Sequence, residues 1–570
     1  VVEGCFPLTP LAAYFLLSVS EKVAQNERTL FTFLSKDEPY SLFWTVRNRE
    51  KEEYWLIGMS EIYDYFSSIF RKDASLVWIH REWLKADFAL SQTKDSAERK
   101  LIKTLALVRM LNMPEEISAS DKILCLGSSL LPKDYQAAKE RLIQKQLLYF
   151  RVKTAAYDFK QKIGVDLEEE IRRTEQLYFT EVQTVKVLQK YAGMDYEIPK
   201  QYNQDYAMTR FFQYQFIDIT DFFKLTKAAY LFEDSFADGK ILLLTVKENW
   251  NEENWNRKIN SQKELQERIK GKLEELNDSR ISLIYPQLEW KEDRLLCRIS
   301  AIEYLLKNEE FLEQNQVIRE ELLLTQEDTL YELNQILQEM YRLEQGKCIL
   351  YVRQNQEAEG YKSYIKLTQI QYNRILSRVL EGYYNETPVI NQELVNRNHI
   401  SAPIRKARNH IVEKLLKQED CQIFESGTSP EATIFRAALW HTGLLGEQQK
   451  PSEALLQVVE QIERFIHGAE KRKCCFLELY QVLQGKNIGM RRGVIPIYLA
   501  YCFVRFQGMI VIYLKEKEIA LSMETLDQIN EDPSKYFLCT EKGTLEKSKY
   551  QKKLILYSIT FKCFKKRFSG

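Results

Sequence analysis

The sequence predicts a mainly α, multidomain chain: helical bundles with winged-helix modules and a small α/β insertion. Three observations predict it. The chain has 570 residues, room for roughly four domains at about 150 residues each. Its 20 glycines and 13 prolines are each near half of ordinary usage, about 7% and 5%, so turns are sparse and helices are favoured. Hydrophobic residues make up 45% and charged residues 28%, a balance that supports several buried cores and excludes wholesale disorder.

In chain order, Thr9-Pro10 offers an N-cap oxygen followed by a proline whose missing N–H costs nothing at the first helical position, so a helix should start at Pro10. Leu11, Phe15, Val19 and Val23 recur every four residues as its apolar stripe. Gln25, Asn26, Glu27 and Arg28 then form a polar cluster ahead of Leu30, Phe31, Phe33 and Leu34, the pattern of a buried helical hairpin. Residues 1–90 are assigned to that hairpin and a connector. In 91–170, AERKLIKTLALVRMLN, SDKILCLGSS and PKDYQAAKERLIQKQ read as three helices, and LLYFRV and AAYDFK as a two-stranded hairpin, the order of a winged helix.

Residues 171–345 read as helical, with 291–345 as a helical hairpin. The exception is ADGKILLLTV, a strand-like run followed by the polar, amphipathic NEENWNRKINSQKELQERIKGKLEELNDSR, which marks the small α/β insertion. Residues 346–450 form a helical block containing TPVINQELVNRNHISAPIRKARNHIVEKLL. In 451–540, GMRRGVIPIYLAYCFVRF reads as a buried helix, MIVIYLKEKEIAL as a hairpin and SMETLDQINEDPSKYF as a closing helix, a second winged-helix-like order. Residues 541–570 are a basic tail.

Lys+Arg total 81 and Asp+Glu 81, so any nucleic-acid contact must come from a local patch and not from the overall field. The opening VVEGCFPLTPLAAYFLLSV lacks a basic n-region and a cleavage site, and its apolar run falls short of the roughly 20 residues of a membrane span. It reads as an internal start, with no membrane partner. Ten scattered cysteines without a C-x-x-C spacing point to reduced thiols and a cytoplasmic location.

A phosphate loop needs G-x-x-x-x-G-K-[ST], whose amides wrap phosphate, and the chain has none, nor a G-x-G-x-x-G. His80, His399, His410, His441 and His467 are too dispersed for a zinc-protease or serine-hydrolase set. Asp278, Glu289 and Lys291 have the residue types of a metal-dependent nuclease, although such a spacing arises readily in so charged a chain. No catalytic or metal-binding residue is therefore assigned, and this chain is not expected to be a self-contained enzyme.

Arg28 could face a phosphate, because an arginine in an otherwise apolar hairpin needs a partner, and an internal pair with a carboxylate such as Glu27 accounts for it equally. Between Arg397 and Lys417, six Lys/Arg stand against Glu413, a net charge of +5. Arg405, Lys406 and Arg408 are the candidate DNA contacts there, with Ile404, Ala407, Ile411 and Leu415 facing inward; a solvated helix face accounts for the same pattern. In 541–570 nine Lys/Arg stand against two Glu. The closing helix SMETLDQINEDPSKYF is acidic and fits a protein partner better than phosphate.

The segment GCFPLTPLAAYFLLSVSEKVAQNERTLFTFLSKDEP resembles the stretch after the nucleotide-binding core in large bacterial P-loop ATPases of the AAA+/STAND type found in phage-defence loci. AYDFKQKIGVDLEEEI, YYNETPVINQELVNRNHISAPIRKARNHIVEKLL with SPEATIFRAALWHTGLL, and GMRRGVIPIYLAYCF with INEDPSKYFL agree in order; a more distant similarity is to the ATPase component of bacteriophage exclusion (BREX) systems. The resemblance implies an ATPase core upstream of Val1 that holds ATP and Mg²⁺, and a lid-like hairpin in which Arg28 is the nucleotide-sensing candidate. It further implies modules that turn nucleotide state into contacts with duplex DNA, other defence-system subunits or further copies of the chain. A winged-helix transcription regulator is the alternative.

Overall fold

The computed structural model describes residues 2–23, 30–48, 55–72, 77–160, 166–233, 235–247, 262–313, 316–353, 360–446 and 450–540. The first long helix, Pro10–Lys22, starts where its cap dictates: the Thr9 hydroxyl accepts from the Ala12 amide at 3.3 Å. Phe15, Val19 and Val23 are buried as their four-residue spacing requires. Helices dominate the described residues, and the chain divides into two compact units, 1–192 with 292–336, and 193–291 with 337–570. The predicted 171–345 block is thus shared between them. Among the described residues, no helix is long and apolar enough to cross a membrane.

In the first unit, helices Ser96–Leu111, Asp121–Ser128 and Pro132–Gln144 precede an antiparallel hairpin of β1 (Leu148–Arg151) and β2 (Ala156–Phe159), in the order read from the sequence. Asp95 caps the first of these helices through the Glu98 amide. Gly127 allows the second to lie close, because a Cβ there would meet Met59 Sδ at 2.5 Å and Thr104 Cγ2 at 2.7 Å. The hairpin faces the acidic helix Gln316–Tyr341: Lys153 Nζ lies 3.1 Å from Glu327 Oε2, and Arg151 lies beside Glu327 and Asp328.

Within the same unit Glu82 and Asp158 are buried and share Arg109, whose Nη2 is 2.9 Å from Asp158 Oδ2. Glu321 stands near Asp158, and burial, reinforced by that carboxylate against Lys85, Lys160 and Arg151, pushes its carboxyl up to about 7. A carboxyl raised above its unfolded value of about 4.3 binds its proton more tightly in the fold, so stability should fall as pH rises through that window and level off above about pH 7. Glu321→Gln is expected to flatten this slope and to add on the order of 2 kcal/mol at pH 8, read by urea unfolding at pH 5 and pH 8. An unchanged slope would remove Glu321 as its source.

The second unit is built on a larger sheet than the predicted insertion. Its six strands are β3 (Tyr196–Glu197), β4 (Phe212–Asp218), β5 (Gly239–Thr245), β6 (Ile281–Pro286), β7 (Cys348–Val352) and β8 (Lys362–Tyr364), paired in chain order. Strands β4, β5 and β6 are parallel and the outer pairings antiparallel. Leu242, Leu244, Leu283 and Ile349 pack on one face with Leu265, Ile269 and Leu273 of helix Gln262–Leu276. Alternation turns Leu243 and Ile284 to the other face.

The rest of this unit is helical, with a second sheet in the order β11-β10-β12-β9 formed by β9 (Cys474–Cys475), β10 (Ile510–Leu514), β11 (Lys517–Ile519) and β12 (Tyr536–Thr540). The β10–β11 hairpin and the helix Met523–Glu531 are as expected, but β12 then inserts between β10 and β9. Helix Ile495–Phe503, third after Glu453–Gly468 and Phe476–Gln484, is buried at every position except Tyr501. It is a core helix and has no face to offer to a groove.

Candidate functional site

Arg28 and the tail 541–570 lie outside the described residues. The three candidate DNA contacts lie on helix Ala402–Leu416, whose Ile404, Ala407, Ile411 and Leu415 face inward as the periodicity requires. Lys406 is exposed, whereas Arg405 bonds Asp527 Oδ2 through Nε at 2.8 Å and Nη2 at 2.5 Å and also reaches Glu531. Arg408 is only 1% exposed and is held by Asn409 and Asp527. Burial alone would raise the Asp527 carboxyl, but Arg405 and Arg408 hold it below the usual range. The basic helix and the acidic closing helix, read separately as surfaces for outside partners, are each other's partner.

The residues of the nuclease reading do not converge. Asp278 precedes β6 and Glu289 follows it, and a six-residue strand separates its ends by about 20 Å. Asp278 is engaged by Arg280 at 2.7 Å. Among the described residues, no three His, Cys, Asp or Glu stand together as a metal-binding group.

A buried charge network that no local motif announces joins β5 to the carboxy-terminal helices. Asp238, 5% exposed, accepts from Arg210 Nη1 and from Arg491 Nη2, each at 2.7 Å, although the two arginines are 281 positions apart in the numbering. Arg210 Nη2 also donates to the Gly489 carbonyl at 2.6 Å, and its guanidinium lies 3.6 Å from the centre of the Tyr384 ring. Gly489, at φ +59°, is required there: a Cβ would fall 2.3 Å from Tyr384 and 2.5 Å from Arg210. Burial opposes ionisation of Asp238, but Arg491 and Arg210 keep it ionised well below the usual carboxylate range.

The same unit contains a cavity of about 420 Å³ on the sheet face turned away from helix Gln262–Leu276. Leu243, Ile284, Leu343 and Leu367 give it an apolar lining, and Tyr214, Tyr341 and Tyr372 bring three phenols to it. Tyr214 donates to Glu197 Oε2 at 3.2 Å, so the proton in its 3.3 Å contact with Tyr372 comes from Tyr372. Gln369 Nε2, from another lining residue, donates to Glu197 Oε1 at 3.0 Å. Burial raises the Glu197 carboxyl, against the hydrogen bond from Tyr214 and the field of Lys200. Arg342, on the lining, pairs with Glu344 at 2.8 Å.

Sequence reasoning missed this cavity because its residues come from six separate segments between Met194 and Tyr372, and none of them is unusual in its local setting. Compared with protein-family models, curated proteins and solved structures, the chain matches none.

Proposed function

We propose that this chain is the regulatory and scaffold part of a larger P-loop ATPase of the AAA+/STAND type, of the phage-defence kind, passing the nucleotide state of an upstream core to a protein partner. The observation that carries the reading is the apolar surface of the first helices: Phe6, Leu17, Phe31, Leu34, Phe43 and Val46 are exposed, Phe31 to 78%. Six exposed apolar side chains within about forty residues of sequence support an interaction surface there. They lie in and beside the stretch whose resemblance implies an ATPase core upstream, so that core, with its ATP and Mg²⁺, is the occupant we assign to them. Arg28 would be this region's nucleotide sensor.

Among the described residues, a protein output is favoured over duplex DNA because basic side chains suited to phosphate are engaged within the chain: Arg405 and Arg408 by Asp527, Arg151 and Lys153 by Glu327. Other defence-system subunits or a second copy of the chain are the partners this leaves. The DNA reading, as in a winged-helix transcription regulator, would rest on Lys406 and on the basic tail 541–570. A salt series on duplex DNA with wild type and Lys406→Glu separates the two. Weak binding that the charge reversal leaves unchanged is expected. Affinity that falls with salt at a log-log slope of about −0.9 per phosphate and is lost in Lys406→Glu would put DNA first.

A further inference from the structure

We infer that the cavity on the second unit's sheet is a binding site for a neutral small molecule with an apolar body and one hydrogen-bonding end, such as an alcohol or a primary amide. Its volume, about 420 Å³, is within the range of about 300–1,000 Å³ typical of small-molecule sites. Its lining divides by depth: Leu243, Ile284, Leu367 and Tyr372 are buried, whereas Gln338, Arg342 and Gln369 are exposed. An apolar floor below a polar rim takes a ligand body first and leaves its polar end among the rim side chains. The phenols do not make the floor polar. Tyr341 donates to the Leu244 carbonyl at 3.1 Å, Tyr214 donates to Glu197 Oε2 at 3.2 Å, and the Tyr372 hydroxyl lies 3.3 Å from that of Tyr214. With their hydroxyls in hydrogen bonds of the chain, they serve a ligand body chiefly through their rings.

Neutrality follows from the formal charges at the rim. Among the described residues, Arg342 and Glu344 are the charged side chains of the lining, and they pair with each other: Arg342 Nε and Nη2 lie 3.0 and 2.8 Å from Glu344 Oε2. An anion drawn to the remaining N–H groups of Arg342 also meets the Glu344 carboxylate, and a cation drawn to Glu344 also meets the guanidinium. Neither sign is compensated for the hydration it gives up. Glu197 stands behind the lining, where its two oxygens accept from Tyr214 and Gln369 and the positive charge of Lys200 opposes its field. The Gln338 and Gln369 carboxamides each carry donors and an acceptor, which suits a neutral end group that also donates and accepts.

Isothermal titration of the full chain with 3-phenylpropanol, 3-phenylpropylammonium and 3-phenylpropionate keeps the body nearly constant while the charge changes. The alcohol should bind saturably and at least about fivefold more tightly than either ion. Removing one methylene, in 2-phenylethanol, should weaken binding about fourfold, the effect of one buried CH₂. Glu344→Gln leaves Arg342 unpaired and should turn the order in favour of the carboxylate. Arg342→Gln leaves Glu344 unpaired and should turn it in favour of the ammonium ion. Both side chains are partly exposed, so the melting temperature of each variant should hold. An ion that binds wild type as tightly as the alcohol, an order that either substitution leaves unchanged, or no saturable binding of any of the three would each overturn the assignment.

Discussion

Asp238→Asn should destabilise the second unit by about 3–5 kcal/mol, because it leaves Arg210 and Arg491 buried with no carboxylate between them. Arg210 is 1% and Arg491 6% exposed, so water cannot replace what the substitution removes. Urea unfolding should show a lower midpoint with little change in slope. Arg491→Met should cost less, since Asp238 keeps Arg210 and the removed charge is exchanged for apolar volume. The network also sets a pH dependence. The folded carboxyl lies below its unfolded value of about 3.9, so its contribution is fully present above that pH and is lost as pH falls through the folded value. A substitution to Asn that left the urea midpoint and the acid limb unchanged would mean that the two arginines are paired elsewhere.

Asp527→Ala is the second large effect expected, about 3 kcal/mol or more, for the same physical reason: Arg408 is buried, and its guanidinium relies on Asp527 and Asn409. Three substitutions on the basic helix should rank in an order that sequence alone would not give. Arg408→Ala should be severely destabilising, Arg405→Ala should cost below about 1 kcal/mol because its pairs with Asp527 and Glu531 are partly solvated, and Lys406→Ala should be neutral. Thermal melts of the three variants test the order. A neutral Arg408→Ala would return that side chain to the surface and restore it as a DNA contact.

Local features of the fold were legible because local physics decides them. Thr9-Pro10 starts a helix whatever surrounds it, and Ile404, Ala407, Ile411 and Leu415 turn inward because they share one helical face. Three helices and a hairpin between residues 96 and 159 carry their own caps, turns and periodicities. The six-stranded sheet was legible only at β5. Strands β6 (ISLIYP) and β7 (CILYV) are short runs buried on both faces, without the alternation that separates a strand from a buried helix. Nor does any local signal tell that 292–336 returns to the first unit after a detour of about a hundred residues through the second.

The candidate site was less legible still, because long-range pairing fixes which charges remain available. Arg408 and Asp527 are 119 positions apart, and each looked like a surface charge until the other was beside it. Arg210, Asp238 and Arg491 had no motif to join them, and the phenols of the cavity lie on a strand and two helices that the sheet alone brings together.

The measurement that tests the proposed coupling most directly is ATP turnover by the full-length polypeptide carrying Phe31→Ser and Phe43→Ser, with the melting of the whole protein followed alongside. Both side chains are exposed, so the fold should tolerate the change and the melting temperature should stay within a few degrees, on the scale of surface substitutions. If the upstream core docks on this surface, turnover should change by roughly fivefold or more, the lower end of typical coupling energies. Turnover identical to wild type, or a full-length polypeptide that neither binds nor hydrolyses ATP, would contradict the account.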